Sequence, residues 1–141
     1  MENYEIMFSF NKLASNITNY ANARLKPYGL TYTQLSVLLF LAKHQKETIN
    51  QKNICYELEI SHATAVGIIA RMHGRNLVSV AVSETDRRNT NVFISKHGLE
   101  LVKQTESIQK EIVGMFTKAL DEAALVQFVE SVKKINQIFK V

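Results

Sequence analysis

Residues 61–95 constrain the fold of this chain more than any other segment. They read SHATAVGIIARMHGRNLVSVAVSETDRRNTNVFIS, in which a helical stretch begins after Ser61. Two β-rich runs follow, Leu77–Val82 and Asn91–Ile94, and the loop between them contains Asp86-Arg87-Arg88. A helix followed by a hairpin with paired arginines near its tip is suited to DNA, because the helix can enter a major groove while the arginines reach phosphates or a narrow minor groove.

The size and composition of the chain are those of one folded domain. It has 141 residues, of which 46% are hydrophobic and 21% are charged, so intrinsic disorder is disfavoured. The net charge of +4 favours an anionic partner. A single cysteine, Cys55, excludes an internal disulfide framework and fits a reducing cytoplasm. Acidic residues in MENYEIMFSF argue against a signal peptide, and the apolar runs are too short to span a membrane.

The chain before this segment is predicted to be helical. A first helix over about Tyr4–Lys26 has apolar residues at helical spacing and is stopped by Pro27 and Gly29. A second helix begins at Thr31, which is followed at the right distance by a glutamine that completes a capping box. Its leucine-rich face predicts a central, buried position.

The remaining helices are predicted from their capping residues. A third helix is capped by Asn50 and ends near Glu59, so only a short turn separates it from the fourth helix at Ser61. That separation is typical of a helix-turn-helix. After the hairpin, Ser95 caps one long fifth helix and Asp121 caps a sixth. The predicted fold is mainly α with a short β-hairpin wing, a winged helix-turn-helix with the order α-α-α-α-β-β-α-α.

The terminal helices carry more apolar surface than a small three-helix core can cover. The stripe of the last helix contains Leu125, Phe128, Val129, Val132, Ile135, Ile138 and Phe139. An apolar stripe of this kind usually meets a partner chain, so we expect a homodimer with interleaved terminal helices. The alternative is that these helices fold back on their own subunit. Residues 31–98 are predicted to form the DNA-binding lobe, and residues 1–30 and 99–141 the dimerisation region.

These elements together resemble the MarR family of bacterial winged-helix regulators. The resemblance is carried by the Ser61-x-x-Thr64 helix start, the Leu77-Val78 pair, and the Asp86-Arg87-Arg88 hairpin that leads into Ser95-x-x-Gly98. It covers nearly the whole chain. It implies a dimer in which each fourth helix lies in a major groove of a pseudo-palindromic DNA operator and each wing reaches the neighbouring minor groove. Members of the family typically repress genes, and many release DNA when a small aromatic or lipophilic ligand binds.

Three positions depart from the family pattern. Asn76 replaces the glycine that usually precedes the Leu-Val pair, and since asparagine tolerates the left-handed conformation the turn is expected to survive. Gly67 stands where members often have a basic or polar residue, and Val80 stands where arginine is common. These two changes bear on sequence preference and affinity and not on the fold.

The predicted DNA contacts lie on the fourth helix and in the wing. They are Ser61, His62, Ala63, Thr64, Gly67, Arg71, Asp86, Arg87 and Arg88. Short side chains at the helix start allow close approach to base edges, and Thr64 can contact a thymine methyl group. Asp86 is expected to hold the wing in shape through a charge-assisted bond, and the family pattern favours Arg88 for insertion into the groove. A structural alternative stays open, with Ser61 as a cap only, Arg71 in a surface ion pair and the wing as a solvated turn.

An effector site is predicted at the junction of the first two helices, where the resemblance implies a ligand cleft. Tyr20, Arg24, Tyr28 and Tyr32 lie near this junction. Tyrosine offers an apolar ring with a hydroxyl and arginine a bidentate site for a carboxylate, so a small aromatic or fatty acid would suit them. The alternative is that the tyrosines only pack the junction.

No enzyme, cofactor or metal site is predicted. The chain has no Gly-rich phosphate loop, no HExxH and no nucleophile elbow. His44, His62, His73 and His97 are not at ligand spacing, and Cys55 is expected to be a small buried hydrophobic residue. The leading hypothesis is a dimeric, ligand-responsive repressor. The alternative is a winged-helix module that binds proteins and not DNA. Such a module has no need of paired arginines in the wing, so the pair argues against it.

Overall fold

The computed structural model describes residues 1–140, which form seven α-helices and a three-stranded antiparallel sheet. The helices are α1 (Asn3–Leu25), α2 (Tyr32–Lys43), α3 (Gln51–Leu58), α4 (His62–Gly74), α5 (Lys96–Gln104), α6 (Glu106–Ala119) and α7 (Glu122–Phe139), and the strands are β1 (Ile49–Asn50), β2 (Val78–Val82) and β3 (Thr90–Ile94). They are divided between two compact units, residues 1–106 and residues 107–140. Within residues 1–140, none of the helices has the length and apolar composition needed to cross a bilayer.

The predicted winged helix-turn-helix class is confirmed, and the predicted order of elements is wrong in two places. The first is an additional strand, β1, which lies before α3 and pairs antiparallel with β3, so that Ile49 faces Val92 and Asn50 faces Asn91. The sheet order is therefore β1-β3-β2. A strand of two residues is too short to show an alternating pattern in the sequence. Only its pairing with β3 identifies it.

The second correction concerns the long fifth helix, which is divided into α5 and α6 at Thr105. The Thr105 side chain is fully buried, and its hydroxyl donates to the carbonyl oxygens of Leu101 at 2.8 Å and Val102 at 3.2 Å. A threonine that bonds back to the preceding turn in this way competes with the regular helical hydrogen bonds. The apolar periodicity continues across this position, so the sequence gives no sign of the break.

The junction between α1 and α2 follows the predicted stop and start signals. A 3-10 turn over Lys26–Tyr28 contains Pro27, and Gly29 then adopts the left-handed conformation with φ 66°. Thr31 caps α2 by accepting a hydrogen bond from the Gln34 N–H at 3.1 Å, while the Gln34 side chain accepts one from the Thr31 N–H at 3.2 Å. The predicted capping box is thereby confirmed.

The core of residues 1–106 is formed around α2, as its leucine-rich face predicted. The largest fully buried apolar side chains come from α1 to α4, the two long strands and the turn before β2, and are Leu25, Val37, Leu38, Ile54, Ile69, Met72, Leu77, Val78 and Val92. Full burial of one such side chain contributes roughly 1.5–3 kcal/mol of transfer free energy. The first and second helices of the helix-turn-helix are therefore fixed by the same apolar core that holds the sheet.

Four residues join the end of α4, the start of β2, the end of β3 and the start of α5, and we call them the Leu77 junction: Asn76, Leu77, Ser95 and Gly98. Asn76 is left-handed with φ 59°, as predicted for the residue that replaces glycine, and its N–H donates to the His73 carbonyl at 3.0 Å. Leu77 N–H donates to the Met72 carbonyl at 2.9 Å. This pair of bonds is a Schellman motif, which satisfies the last carbonyls of α4.

Ser95 closes the Leu77 junction from the α5 side. Its N–H donates to the Leu77 carbonyl at 3.1 Å, and its hydroxyl donates to the Asn76 carbonyl at 2.6 Å. The same hydroxyl caps α5 by accepting from the Gly98 N–H at 2.9 Å. Gly98 is buried, and a Cβ atom there would collide with the Leu77 carbonyl oxygen and lie 2.9 Å from a side-chain carbon of Ile94. The close approach of α5 to β2 therefore requires glycine at position 98.

The apolar stripe predicted to be buried on the last helix is largely exposed in the single chain. α7 begins at the predicted cap, Asp121, which accepts from the Ala124 N–H at 2.8 Å. Yet Val129 is 41% exposed, Ile138 81% and Phe139 76%. The N-terminal part of α1 is exposed in the same way. Large apolar side chains left in water at this density indicate a surface that is covered by something else.

We expect Gly98→Ala to destabilise the protein by about 1–3 kcal/mol, the usual cost of forcing extra volume into a packed site. Urea unfolding followed by circular dichroism, at one fixed protein concentration, measures this change. Gly74→Ala is the control, because a Cβ atom at Gly74 meets nothing within 4 Å. Equal unfolding midpoints for Gly98→Ala and Gly74→Ala would contradict the packing assigned to the Leu77 junction.

Candidate nucleic-acid interface

The exposed start of α4 is produced by the turn that separates it from α3. Glu59 adopts the left-handed conformation with φ 53° and ends α3, and Ser61 caps α4. The Ser61 hydroxyl accepts from the Thr64 N–H at 3.1 Å and donates to the Thr64 hydroxyl at 2.8 Å. A serine cap of this kind contributes roughly 1 kcal/mol. Because the Thr64 hydroxyl acts as an acceptor here, its own proton remains available to an outside acceptor.

The predicted recognition residues share one solvent-facing surface of α4. His62, Ala63 and Thr64 are all exposed, and Gly67 and Arg71 continue the same face at helical spacing. A Cβ atom at Gly67 would lie 3.4 Å from Nη1 of Arg71, so the guanidinium group of Arg71 lies over the glycine. The exposed side chains at the start of α4 are therefore short, and a cation, Arg71, follows one turn after Gly67.

The wing is held in shape by Asp86, as the sequence predicted. Its Oδ1 accepts from the Arg88 backbone N–H at 3.1 Å and from the Arg88 Nε at 3.1 Å, and its Oδ2 accepts from Nη2 of the same residue at 3.2 Å. Ser83 closes the loop, because its N–H donates to the Asn89 carbonyl at 2.9 Å. Arg88 is thus held in a bidentate pair although its side chain is 89% exposed, and Arg87 is exposed as well. Bidentate arginine–carboxylate pairs fix geometry better than single contacts do.

The charges around Asp86 lower the pKa of its carboxyl group. The side-chain hydrogen bond from Arg88 is the largest cause, the backbone hydrogen bond from Arg88 is the second, and the positive charge of Lys52 on α3 adds to both. A lowered pKa in the folded state means that this carboxylate stabilises the wing at any pH above its ordinary pKa. That contribution is lost only as the pH falls through the lowered value. The wing therefore keeps this pair at all physiological pH values.

An open cavity that the sequence did not indicate lies between α3, the start of α4 and the wing. Its volume is about 620 Å³, and it is lined by Lys52, Cys55, Tyr56, His62 and Arg88. Cys55 is half-buried and not fully buried as predicted, and its sulfur lies 4.0 Å from the Ser61 carbonyl oxygen. Lys52 and Tyr56 are one helical turn apart and exposed, a basic–aromatic pair that could have drawn notice in the sequence.

The C-terminal end of α4 is attached to the α1–α2 turn by Arg75. Its guanidinium group donates a short hydrogen bond to the Gly29 carbonyl oxygen, 46 residues away in sequence. A Cβ atom at Gly29 would lie 2.6 Å from Nη2 of Arg75, so a larger residue would displace this guanidinium group, and the positive φ favours glycine independently. The C-terminal end of α4 is thereby connected to the junction at which an effector site was predicted.

The predicted effector residues surround the junction between α1 and α2. Tyr20 is half-buried and Arg24 is exposed on α1, Tyr28 ends the 3-10 turn, and Tyr32 begins α2. The Tyr32 N–H donates to the Asn22 side chain at 2.7 Å, which ties α2 to α1. Their role in ligand binding stays a prediction. Among residues 1–140, no three His, Cys, Asp or Glu side chains are close enough to bind one metal ion.

The arrangement of these elements matches known proteins in sequence and in structure. The sequence model described as the MarR family matches residues 28–89. The transcriptional regulator MgrA of Staphylococcus aureus is 30% identical over 119 residues, which cover 84% of this chain and 74% of MgrA. The chain belongs to the MarR family of winged-helix transcriptional regulators. The resemblance noted in the sequence is thus confirmed.

Solved MarR-family structures have the same fold over almost the full length. A complex of S. aureus MepR with DNA superposes with a TM-score of 0.86 at 21% identity and covers 99% of this chain and 100% of MepR. AbsC of Streptomyces coelicolor superposes with a TM-score of 0.82 at 23% identity, with 97% and 95% of the two chains covered. Identities this low support the fold and do not assign individual contacts.

Proposed function

We propose that this MarR-family protein is a homodimeric, sequence-specific DNA-binding regulator that represses transcription in the cytoplasm. The observation that carries the proposal is the pairing of two exposed features: the low, capped start of α4 around Thr64 and the bidentate Asp86–Arg88 pair of the wing. Ser61, His62, Ala63, Thr64, Gly67, Arg71, Asp86, Arg87 and Arg88 are the proposed interface. The DNA complex of MepR, which has the same fold, supports this reading.

The chemistry of the interface favours DNA over a protein partner. Arg88 shares a cavity with His62, the first residue of α4, where the N–H groups and the dipole of the helix favour anions, and Arg71 lies further along the exposed face of α4. Small side chains such as Ala63 and Gly67 leave room for base edges. A protein-docking module would instead present a large apolar patch here, and the exposed side chains at the start of α4 are polar or small.

We expect Ala63→Asp to lower affinity for a duplex selected from a random pool by at least about tenfold, because the new carboxylate would face phosphates. Asp near a helix N-terminus is compatible with the helix dipole, so α4 should stay folded. Ala123→Asp is the matched control, since Ala123 is the second residue of α7 just as Ala63 is of α4. Fluorescence anisotropy across a salt series measures both variants.

Two outcomes of that titration would contradict the proposal. Parent affinity that does not fall as salt rises would exclude binding through phosphates. Equal affinities for Ala63→Asp and Ala123→Asp would move the interface away from α4. In the first case a protein partner would become the better explanation.

We propose further that a second copy of the chain covers the exposed apolar surfaces of α1 and α7. The side chains at issue include Ile6, Phe10, Val129, Ile138 and Phe139. Each of the two surfaces lies on a terminal helix, outside the proposed DNA-binding lobe of residues 31–98. A two-fold dimer would also present two copies of α4 to two half-sites of a palindromic operator.

Ile138→Glu is expected to convert the dimer into a monomer, because the charge would be buried at the apolar interface without a partner. The side chain is 81% exposed in the single chain, so the substitution should not unfold a subunit. Gln137→Glu adds the same charge at the neighbouring position and should stay dimeric. Sedimentation velocity distinguishes the two states, and an Ile138→Glu protein of dimer mass would place the interface elsewhere.

We propose that a small aromatic or fatty acid is the effector and that it binds at the α1–α2 junction through Tyr20, Arg24, Tyr28 and Tyr32. The supporting observation is the Arg75–Gly29 hydrogen bond, which gives a ligand at this junction a direct connection to α4. A ligand can shift an equilibrium only by its difference in affinity for the two states. Calorimetry should show that a salicylate-like acid or a fatty acid binds the parent and binds Arg24→Ala at least about tenfold more weakly, as expected on loss of a charged contact. Equal binding to both proteins would contradict this site.

A further inference from the structure

One hydrogen bond joins two parts of the chain that pack mainly against different neighbours. α4 packs mainly against α3 and β2, whereas the 3-10 turn of Lys26–Tyr28 packs against α1. Arg75, the C-terminal cap residue of α4, nevertheless donates through Nη1 to the carbonyl oxygen of Gly29, which ends that turn. The bond therefore links the position of α4 to the conformation of the α1–α2 turn, 46 residues away in sequence.

The backbone of each partner is held by hydrogen bonds of its own. The Gly29 N–H donates to the Lys26 carbonyl at 2.9 Å, and the left-handed backbone of Gly29, with φ 66° and ψ 25°, sets the direction of its carbonyl group. The Arg75 N–H donates to the carbonyls of Arg71 and Met72, each at 3.2 Å. A change in the conformation of the turn would therefore move the Gly29 carbonyl away from a donor whose backbone stays in place.

The contact is matched to glycine and lies at the surface. A Cβ atom at position 29 would lie 2.6 Å from Nη2 and 3.4 Å from Cζ of Arg75, so the guanidinium group occupies the space that a side chain would need. Arg75 is exposed, and a hydrogen bond exposed to water contributes little to the stability of a fold. Such a bond opens at low cost when the turn changes, so it suits a regulatory contact better than a structural one.

We propose that Arg75 is a positioning residue for DNA binding, and that its bond to Gly29 is the route by which the α1–α2 turn controls the placement of α4. The proposal rests on the DNA-binding function proposed above, and it gives Arg75 no contact with DNA. Tyr28 precedes Gly29 in the turn, and Thr31 caps α2 two residues after it. A ligand bound at this junction would therefore act on the acceptor side of the bond.

A salt titration separates a positioning residue from a direct DNA contact. Arg75→Ala removes the donor, and Lys103→Ala, at an exposed lysine on α5, is the control that removes one charge elsewhere. Arg75→Ala should bind a selected duplex about fivefold more weakly than Lys103→Ala does, as expected on loss of one hydrogen bond. Both variants should have the same slope of log affinity against log salt. They should also bind a scrambled duplex equally, because non-specific binding depends on phosphates and not on the fit of α4.

The acceptor side of the bond is tested by Gly29→Ala, in which the new Cβ atom displaces the guanidinium group. This variant should also bind the selected duplex about fivefold more weakly than the parent. Gly29→Ala combined with Arg75→Ala should bind no more weakly than either single variant, because both changes break one contact. The strain of alanine at a positive φ persists in the double variant, so an effect of strain alone would add to that of Arg75→Ala. Urea unfolding followed by circular dichroism establishes that each variant is folded.

Three outcomes would overturn the proposal and leave DNA binding itself intact. A salt slope reduced by about 1 in Arg75→Ala, with both duplexes weakened equally, would make Arg75 a direct phosphate contact. Affinity for the selected duplex equal to that of Lys103→Ala, whatever the unfolding midpoint, would leave the bond with a structural role only. Losses that multiply in the double variant would show that Gly29 and Arg75 act separately. A parent that binds neither duplex would instead refute the proposed function.

Discussion

The Leu77 junction is the constraint on which the rest of the DNA-binding architecture depends. A few hydrogen bonds at this point join the end of α4, the start of β2, the end of β3 and the start of α5. The left-handed Asn76 turns the chain out of α4, and Ser95 fastens the returning strand to the same turn. Because β2 begins and β3 ends at this junction, the junction fixes the position of the wing relative to α4. Glycine at position 98 allows the start of α5 to pack closely against the Leu77 carbonyl oxygen at the start of β2.

α4, the proposed recognition helix, is fixed at both ends and along one side. The Ser61 hydroxyl accepts from the Thr64 N–H, the Schellman motif satisfies the carbonyls of Met72 and His73, and Arg75 ties the C-terminal end of the helix to Gly29. Buried Ile69 and Met72 hold its inner face. Only the outer face is free to meet a partner, so α4 is positioned as a rigid element. Rigid placement suits the proposed DNA contact, because a small error in helix position would misplace every side chain proposed to read a base.

Most of the fold could be read from local signals in the sequence. The stops at Pro27 and Gly29, the caps at Thr31, Asn50 and Ser95, and the order of helix and hairpin were predicted correctly because each depends on chemistry within a few residues. The two errors have the same origin. β1 exists because β3 offers it hydrogen bonds, and the break at Thr105 coincides with a hydroxyl bonded back to α5 in a buried site. Neither condition is visible in a periodic pattern.

For the candidate site, too, the sequence predicted the local features and missed those that depend on packing. The sequence by itself determined which side chains the fourth helix and the wing carry, and it placed Asp86 correctly beside an arginine because both lie in one tight turn. It could not show that the guanidinium of Arg71 lies over Gly67, or that Lys52 and Tyr56 of α3 share a cavity with Arg88, 36 residues after Lys52. Those juxtapositions were decided only by the tertiary structure, since packing around α2 and closure of the Leu77 junction bring separate segments together. Local hydrogen bonding is encoded in neighbouring residues, whereas a surface shared by three elements depends on how all of them pack.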